Sequence, residues 1–293
     1  MKILRHWITK MIIIISIVLF VVWLSFYFFG LKKEPVIFGV SFDQNYATWL
    51  GLDWKQTYIS ILTDLHPVVI RIPVVWDSVE PKQNQFNFSD IDWMMKQAKN
   101  NHVKVVLVIG QKTPRWPECH VPKWANAIPE VDMRSALLKY VRQTIIRYRN
   151  SSVLQSWQVE NEPFINFNFG VCQRFDRAAT YQEIDLVKFL DSVHPIMITD
   201  SGELSLWRES STAGDILGTT VYRVVRTPNG IILRYNWLPA GWYKARAEWR
   251  GKDYNHFVIS ELQAEPWFAS GDNPLNTPVS VQMETMSPSQ MQK

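Results

Sequence analysis

Ser156-Trp157-Gln158-Val159-Glu160-Asn161-Glu162-Pro163 closes a β-prone run that opens at Val153, and its last three residues decide how the chain is read. Proline has no N–H to give a sheet ladder, so the strand stops at Asn-Glu-Pro. That leaves Glu162 at a strand's C-terminal end, where parallel α/β architectures collect their reactive groups. A second β-prone run, Phe257 to Ser260, ends in Glu261. Two glutamates at the ends of different strands suit general acid and nucleophile work on a glycosidic bond. The plain alternative is a pair of solvated surface carboxylates. The Asn and Pro framing of Glu162, within a chain of repeated strand–helix units, favours the chemistry.

Working outward, strand-length apolar runs recur at Val36–Phe42, Val68–Ile72, Val103–Ile109, Val153–Glu160, Pro195–Thr199, within Ile216–Tyr222, and at His256–Ser260. Near-continuous hydrophobicity is expected of parallel strands covered on both faces. Helices are predicted between them. Asp53 with Gln56, Ser89 with Asp92, and Thr180 with Glu183 read as helix starts. Met133, Leu137, Val141 and Ile145 recur at four-residue steps, a core stripe. The alternation predicts an α/β fold of (β/α)8 TIM-barrel type. No Gly-rich turn follows the first strand, which argues against a dinucleotide site.

The first 33 residues stand apart. Met11 to Phe29 is apolar except for Ser16 and Ser25. About 20 apolar residues cross a bilayer as a helix. Bulky Phe26-Tyr27-Phe28-Phe29 ends the run where a cleaved leader would carry small residues. The reading is one transmembrane helix at about 11–30 in an anchor of residues 1–33, with a catalytic body, 34–293, on the extracytoplasmic side. The chain has 31 basic and 27 acidic residues, a net charge of +4. Removing Lys2, Arg5, Lys10, Lys32 and Lys33 leaves 26 basic against 27 acidic, so the body is near neutral and carries no nucleic-acid footprint. Cys119 and Cys172 are the two cysteines, in loops expected on the same barrel face. A disulfide and a pair of free thiols are both compatible with that placement. His66, His102, His194 and His256 precede strands, on the face opposite the chemistry, and read as structural. His120 alone lies on the active face, so no metal site and no cofactor is expected.

With these residues in place the body, from Val36 to Trp267, resembles retaining glycoside hydrolases of clan A, the group that includes the family 5 cellulases and mannanases. The resemblance rests on Asn161-Glu162 closing the fourth strand and Glu261 closing the seventh. It implies that Glu162 is the acid/base and Glu261 the nucleophile. It also implies that Arg71, in Val69-Ile70-Arg71-Ile72-Pro73, and Tyr222 support the nucleophile. Asn161 is expected to bond the sugar's 2-hydroxyl. Aromatic platforms for sugar rings are sought among Trp76, Trp116, Trp124, Trp207, Trp237 and Trp267, with Trp76 and Trp267 the leading candidates. Glu160 and Glu265 are rival carboxylates.

The expected function is a membrane-anchored retaining glycoside hydrolase of β-glycosidic bonds, acting on an oligo- or polysaccharide. The alternative is a non-catalytic carbohydrate-binding or interaction protein derived from one. The second keeps weight because only seven strands are predicted. Strand 8 and its flanking helices have no counterpart, and Ser287-Pro288-Ser289-Gln290 reads as the opening of helix 7. Strands 1 and 7 are then expected to be open edges.

Overall fold

The computed structural model describes residues 2–31, 35–115, 117–165, 170–172, 174–227, 229–268, 273–287 and 289. Its centre is a parallel sheet of seven strands: β1 (Gly39–Ser41), β2 (Val69–Pro73), β3 (Lys104–Ile109), β4 (Leu154–Val159), β5 (Ile196–Asp200), β6 (Ile216–Val221) and β9 (Phe257–Leu262), neighbours in that order. Between β6 and β9 an antiparallel hairpin, β7 (Val224–Arg226) and β8 (Ile232–Arg234), stands apart from the barrel. The helices are α1 (Lys2–Gly30), α2 (Gln44–Trp49), α3 (Trp54–Asp64), α4 (Trp76–Val79), α5 (Ser89–Asn100), α6 (Lys123–Asn126), α7 (Glu130–Tyr148), α8 (Arg177–Leu190), α9 (Ser210–Ala213), α10 (Ala240–Trp249) and α11 (Val279–Gln282). The fold is thus a nearly closed α/β barrel, as the alternation predicted.

Strand composition explains the layering. Along β4, Trp157 and Val159 face the helices and join the main apolar core with Ile70, Ile72, Leu107, Leu137, Val141 and Ile145. Gln158, between them, is fully buried within the barrel, as is Arg71 on β2. A second, smaller core joins Trp207, Leu217, Val221, Leu238, Tyr243 and Ala247. There the Arg246 guanidinium lies 3.5 Å from the centre of the Trp207 ring. Delocalised and weakly hydrated, guanidinium stacks on indole without losing its hydrogen bonds in the ring plane, and Arg246 also donates to Ser205 O at 2.8 Å.

Several local expectations change. Asp53 does cap α3, accepting from Lys55 N and Gln56 N. Ser89 does not cap α5. It is the first helical residue, and Asn87 Oδ1 accepts its N–H at 3.0 Å. Thr180 and Glu183 lie inside α8, which is capped by Asp176 through Ala178 N. The hairpin was not foreseen: its strands are three residues each, shorter than a periodicity can reveal.

The sheet stays open between β1 and β9. At the C-terminal ends of the strands Ser41 Oγ reaches Ser260 O at 3.4 Å. Elsewhere along the seam Phe38, Val258, Ile259 and Leu262 are exposed. No eighth parallel strand joins the sheet among the described residues. Pro288 and Gln290 of the expected helix start lie outside them. The N-terminal helix is longer than expected, and the most apolar 18 residues of its Leu4–Gly30 part have a mean hydropathy of 2.8.

Candidate active site

The C-terminal ends of the strands bring Glu162, Asn161, Arg71, Tyr222 and Glu261 together. Backbone geometry aims them. Glu160 and Glu162 both sit in the left-handed region, at φ 59° and 46°. Non-glycine residues there cost about 1–3 kcal/mol each and persist only where the surroundings enforce them. Glu162 N is held by Thr199 Oγ1 at 2.9 Å. On β9 the pairing with β6 slips: Thr219 faces Ile259 but Thr220 faces Glu261, leaving Ser260 as an extra residue. Such a bulge re-aims the next side chain. It also extends β9 past Ser260, so Glu261 lies within the strand and not beyond it.

Arg71 ties the two glutamate-bearing strands together. Its Nε donates to Gln158 Oε1 at 2.7 Å and its Nη2 to Asn161 Oδ1 at 3.0 Å. Its Nη1 donates to Ser260 O at 3.2 Å and Glu261 Oε1 at 3.3 Å. The other carboxylate oxygen of Glu261 accepts from the Tyr222 hydroxyl at 2.8 Å. Asn161 Oδ1 also takes bonds from Gln158 Nε2 and Thr199 Oγ1, both at 3.3 Å. Three donors on one oxygen fix the amide's orientation and leave its NH2 to offer to a substrate.

Electrostatics separates the two glutamates. Glu162 is buried, and its Oε1 accepts from Thr220 Oγ1 at 3.3 Å. Burial, reinforced by the charge of Glu261, holds the Glu162 carboxyl well above the usual range. Glu261, by contrast, is a hydrogen-bonded partner of a cation and a phenol. Burial pulls the Arg71 guanidinium down, and Glu261 pulls it back up. The pattern is that of a buried proton donor set beside a carboxylate that a guanidinium and a phenol hydrogen-bond.

Glu160 has a structural task. Its carboxylate accepts the backbone N–H groups of Gln111 and Lys112 at 2.9 and 2.5 Å. Gly110, at φ 114°, makes this possible, since a Cβ there would lie 2.4 Å from the Glu160 carboxyl carbon. Burial raises both Glu160 and its neighbour Glu183, the latter further, so Glu183 is the protonated member that donates to Glu160. Glu265 is engaged by Arg115, whose guanidinium also lies over the Tyr46 ring at 4.4 Å. This pair joins the loop after β3 to the segment after β9. Beside it is a cleft of about 170 Å³, lined by Ser41, Asp43, Tyr46, Arg71 and Arg115 among others.

The tryptophans sort differently from expectation. Trp76 is a correction: it is fully buried, stacked on Tyr140 at 5.8 Å, with its Nε1 on Glu80 Oε2 at 2.9 Å. It belongs to the core and not to a sugar subsite, packed against Tyr140 of α7 and Trp124 of α6. Trp207 is also buried, and Trp124 packs edge-on against Trp76. Trp267 does stand at the site, edge-on to Tyr222 at 5.1 Å. Trp237 is exposed, beside α1, and Trp116 lies outside the described residues. Sequence reasoning missed Gln158, Thr199, Thr220 and Lys112. The signal for the first three was a polar residue inside an otherwise apolar buried strand. Lys112, fully buried, reaches Glu162 O at 3.4 Å and Glu118 Oε2 at 3.7 Å. Cys119 and Cys172 are joined, with Cα atoms 5.1 Å apart, and the bond ties the loop after β3 to the one after β4. No cluster of metal-ligating side chains occurs among the described residues.

A profile described as glycosyl hydrolase family 10 matches residues 37–184. The chain belongs to glycosyl hydrolase family 10. The match to this family takes in β1 to β4, and with them Arg71, Asn161 and Glu162; it ends before Tyr222 and Glu261. Endo-1,4-beta-xylanase 3 of Hypocrea jecorina is 27% identical over 135 residues, 45% of this chain. The match spans only 35% of that enzyme's length. Among solved structures, native xylanase 10B from Thermotoga maritima aligns at TM-score 0.57 and 12% identity, over 89% of this chain and 77% of its own. A glycosylated family 10 endo-beta-1,4-xylanase from Gloeophyllum trabeum aligns at TM-score 0.56 and 15% identity, over 78% and 72%. A family 5 structure, from Streptomyces cattleya, aligns at 0.51 and 13%, over 65% and 52%. At these identities the likeness is one of fold, shared by both families. The profile places the chain in family 10, where the motifs alone had pointed to the family 5 group.

Proposed function

We propose that the chain hydrolyses β-1,4-linked saccharides of xylan type with retention of configuration, through Glu162 as acid/base and Glu261 as nucleophile. The single observation that carries this is Arg71, which bonds Asn161 beside one glutamate and the carboxylate of the other. In the first step a Glu261 oxygen attacks the anomeric carbon while Glu162 gives its proton to the departing glycosidic oxygen. The product is a glycosyl ester on Glu261. In the second, water attacks that carbon, Glu162 takes the water's proton, and Glu261 leaves as carboxylate. The elevated Glu162 suits the first step. Once Glu261 is esterified its charge is gone, Glu162 becomes the stronger acid, and it is then ready to act as base. In this reading the Asn161 NH2 holds the 2-hydroxyl and Trp267 carries a sugar face.

The test is release of the aryl group from an aryl β-xylobioside, followed by NMR of the first-formed sugar. β-Anomer supports the reading. α-Anomer sinks the retaining assignment. Xylan binding with no turnover would instead favour a non-catalytic carbohydrate-binding protein.

We further read residues 1–33 as a single-pass anchor and 34–293 as an extracytoplasmic catalytic body. The apolar run Met11–Phe29, within the candidate span Leu4–Gly30, and the disulfide, a bond of oxidising compartments, support this. Release of the full chain from membranes by alkaline carbonate would refute it.

A further inference from the structure

Lys112 is a buried cation beside Glu162 to which the two-step scheme gives no task. Its side chain is fully buried. Among the described residues its ammonium meets the Glu162 backbone oxygen at 3.4 Å, Glu118 Oε2 at 3.7 Å and the Phe175 ring at 5.8 Å. A charge so loosely paired is expensive to bury.

The surroundings hold it there. The Glu160 carboxylate accepts the Lys112 N–H at 2.5 Å. Lys112 and Cys119 face each other as an antiparallel bridge, and Thr113 N donates to Glu118 O at 2.8 Å. Glu118 is kept at φ 68°, a conformation unfavourable for a residue with a Cβ. Its Oε2 accepts from Gly170 N at 3.2 Å. Only glycine allows that approach, since a Cβ at Gly170 would lie 2.2 Å from Pro117 O and 2.9 Å from Glu118 Cγ. The disulfide between Cys119 and Cys172 closes the same two segments. Lys112 and Glu118 are therefore clamped in place next to Glu162.

The charges acting on the Glu162 carboxyl are Glu261 on β9, Asp200 at the end of β5, Arg71 on β2, and Lys112 with Glu118 after β3. Thr220 on β6 adds a neutral hydrogen bond. Arg71 hydrogen-bonds Glu261, and Lys112 is the cation with no bond to the nucleophile. In the first step burial and the Glu261 charge keep the proton on Glu162. Esterification removes the Glu261 charge and leaves that of Lys112. The second step needs Glu162 as a carboxylate. The water oxygen bonds the anomeric carbon, the water proton goes to Glu162, and the electron pair of the breaking ester bond returns to Glu261.

We propose that Lys112 is a positioning residue for this reaction, the fixed counter-charge that readies Glu162 to act as base in the second step. The proposal rests on the reading of Glu162 as acid/base.

The full chain is offered dinitrophenyl and phenyl β-xylobiosides. Dinitrophenolate leaves with little proton help, so its kcat reads the second step, and an initial burst checks this. Phenolate needs the proton, so its kcat/KM reads the first step. In Lys112→Met, which keeps a long apolar stem in the buried slot, the dinitrophenyl kcat is expected to fall about tenfold further than the phenyl kcat/KM. The alkaline limb of phenyl kcat/KM and the acid limb of dinitrophenyl kcat both report Glu162. Both are expected to move up by about one pH unit, the equivalent of that tenfold. Lys112→Arg keeps the charge and is expected to restore both limbs. Glu118→Gln removes an anion and is expected to move both limbs down; it carries the test if Lys112→Met does not fold. Limbs that stay put in the folded variants, or equal losses on the two substrates, overturn the proposal. A parent chain that hydrolyses neither substrate sinks the glycosidase reading. Carbon-detected NMR of labelled glutamate then decides for Lys112: an upward Glu162 titration in Lys112→Met supports its role, and an unmoved one overturns it.

Discussion

Arg71→Lys tests how far the site depends on guanidinium geometry and not on charge. The guanidinium reaches Gln158 Oε1 at 2.7 Å, Asn161 Oδ1 at 3.0 Å, Ser260 O at 3.2 Å and Glu261 Oε1 at 3.3 Å, from three nitrogens. An ammonium has three protons on one atom, so at least one contact goes, and the spread of the acceptors makes two the better count. Asn161 Oδ1 keeps two other donors. Gln158 Oε1 and Glu261 are the exposed losers. A buried carbonyl left without its donor costs about 1–3 kcal/mol. Loss of the charge-assisted bond that positions Glu261 is worth about 1.5–3 kcal/mol, which is roughly a 10- to 150-fold fall in kcat/KM. Urea unfolding followed by tryptophan fluorescence gives the first quantity, and aryl β-xylobioside hydrolysis the second. The reasoning also requires coupling: in a Glu261→Gln background the stability cost of Arg71→Lys should shrink, since one charged partner has already gone. Unchanged activity, or a stability cost identical in both backgrounds, would refute it.

Other outcomes follow from the same geometry. Glu162 is held high by burial and by Glu261, so the rate should fall as pH rises through its elevated pKa; Glu261→Gln should move the Glu162 titration down, followed by carbon-detected NMR of labelled glutamate, and an upward move would contradict the electrostatic account. The linkage has a matching sign: folding binds this proton more tightly, so Glu162→Gln should stabilise the chain at neutral pH and lose that advantage as pH falls below the unfolded carboxyl range. Cys119→Ser with Cys172→Ser opens a loop of 53 residues, which chain-entropy arithmetic values at about 4 kcal/mol; a urea midpoint unmoved by reduction would show that the loops are held by other contacts. Gly110→Ala should destabilise more than the ~1 kcal/mol typical of a point change, because the new methyl meets the Glu160 carboxyl and the left-handed φ is lost. Trp267→Ala should raise KM, whereas Trp76→Phe should lower the melting temperature and leave KM alone; the opposite pattern would restore Trp76 to the sugar site.

The strand succession was legible because each buried strand is an apolar run bounded by polar caps, and Asp53 shows that a cap in the right place is read correctly. Thr180 and Glu183 show the limit: the same spacing that caps a helix also occurs inside one, and only the burial of Glu183 against Glu160 distinguishes them. Glu162 was legible through Pro163, a covalent stop. Glu261 was found, but not its aim, since a bulge at Ser260 is a property of two strands and cannot be read from one. Trp76 was misjudged because it opens the short helix α4 and packs on Tyr140 and Trp124, tertiary partners that its local sequence does not reveal. The Arg71 network needed four strands in register before its partners could meet.

The two apolar clusters divide the chemistry between them. Helices α2 to α8 and the strand β4 that leads to Glu162 contribute to the larger; β6, which leads to Tyr222, α10, and Phe257 at the start of the strand that carries Glu261 contribute to the smaller. Parts of a protein with less buried surface open at lower free energy than the whole. Warming or mild denaturant should therefore silence this chain before it unfolds: the smaller cluster opens, Arg71 loses its carboxylate partner, and turnover stops while the larger core still reads as native by far-UV dichroism. Activity becomes the more sensitive thermometer of the second half, and a substitution that tightens Trp207, Arg246 and Leu217 should extend working range without altering any residue that meets a sugar.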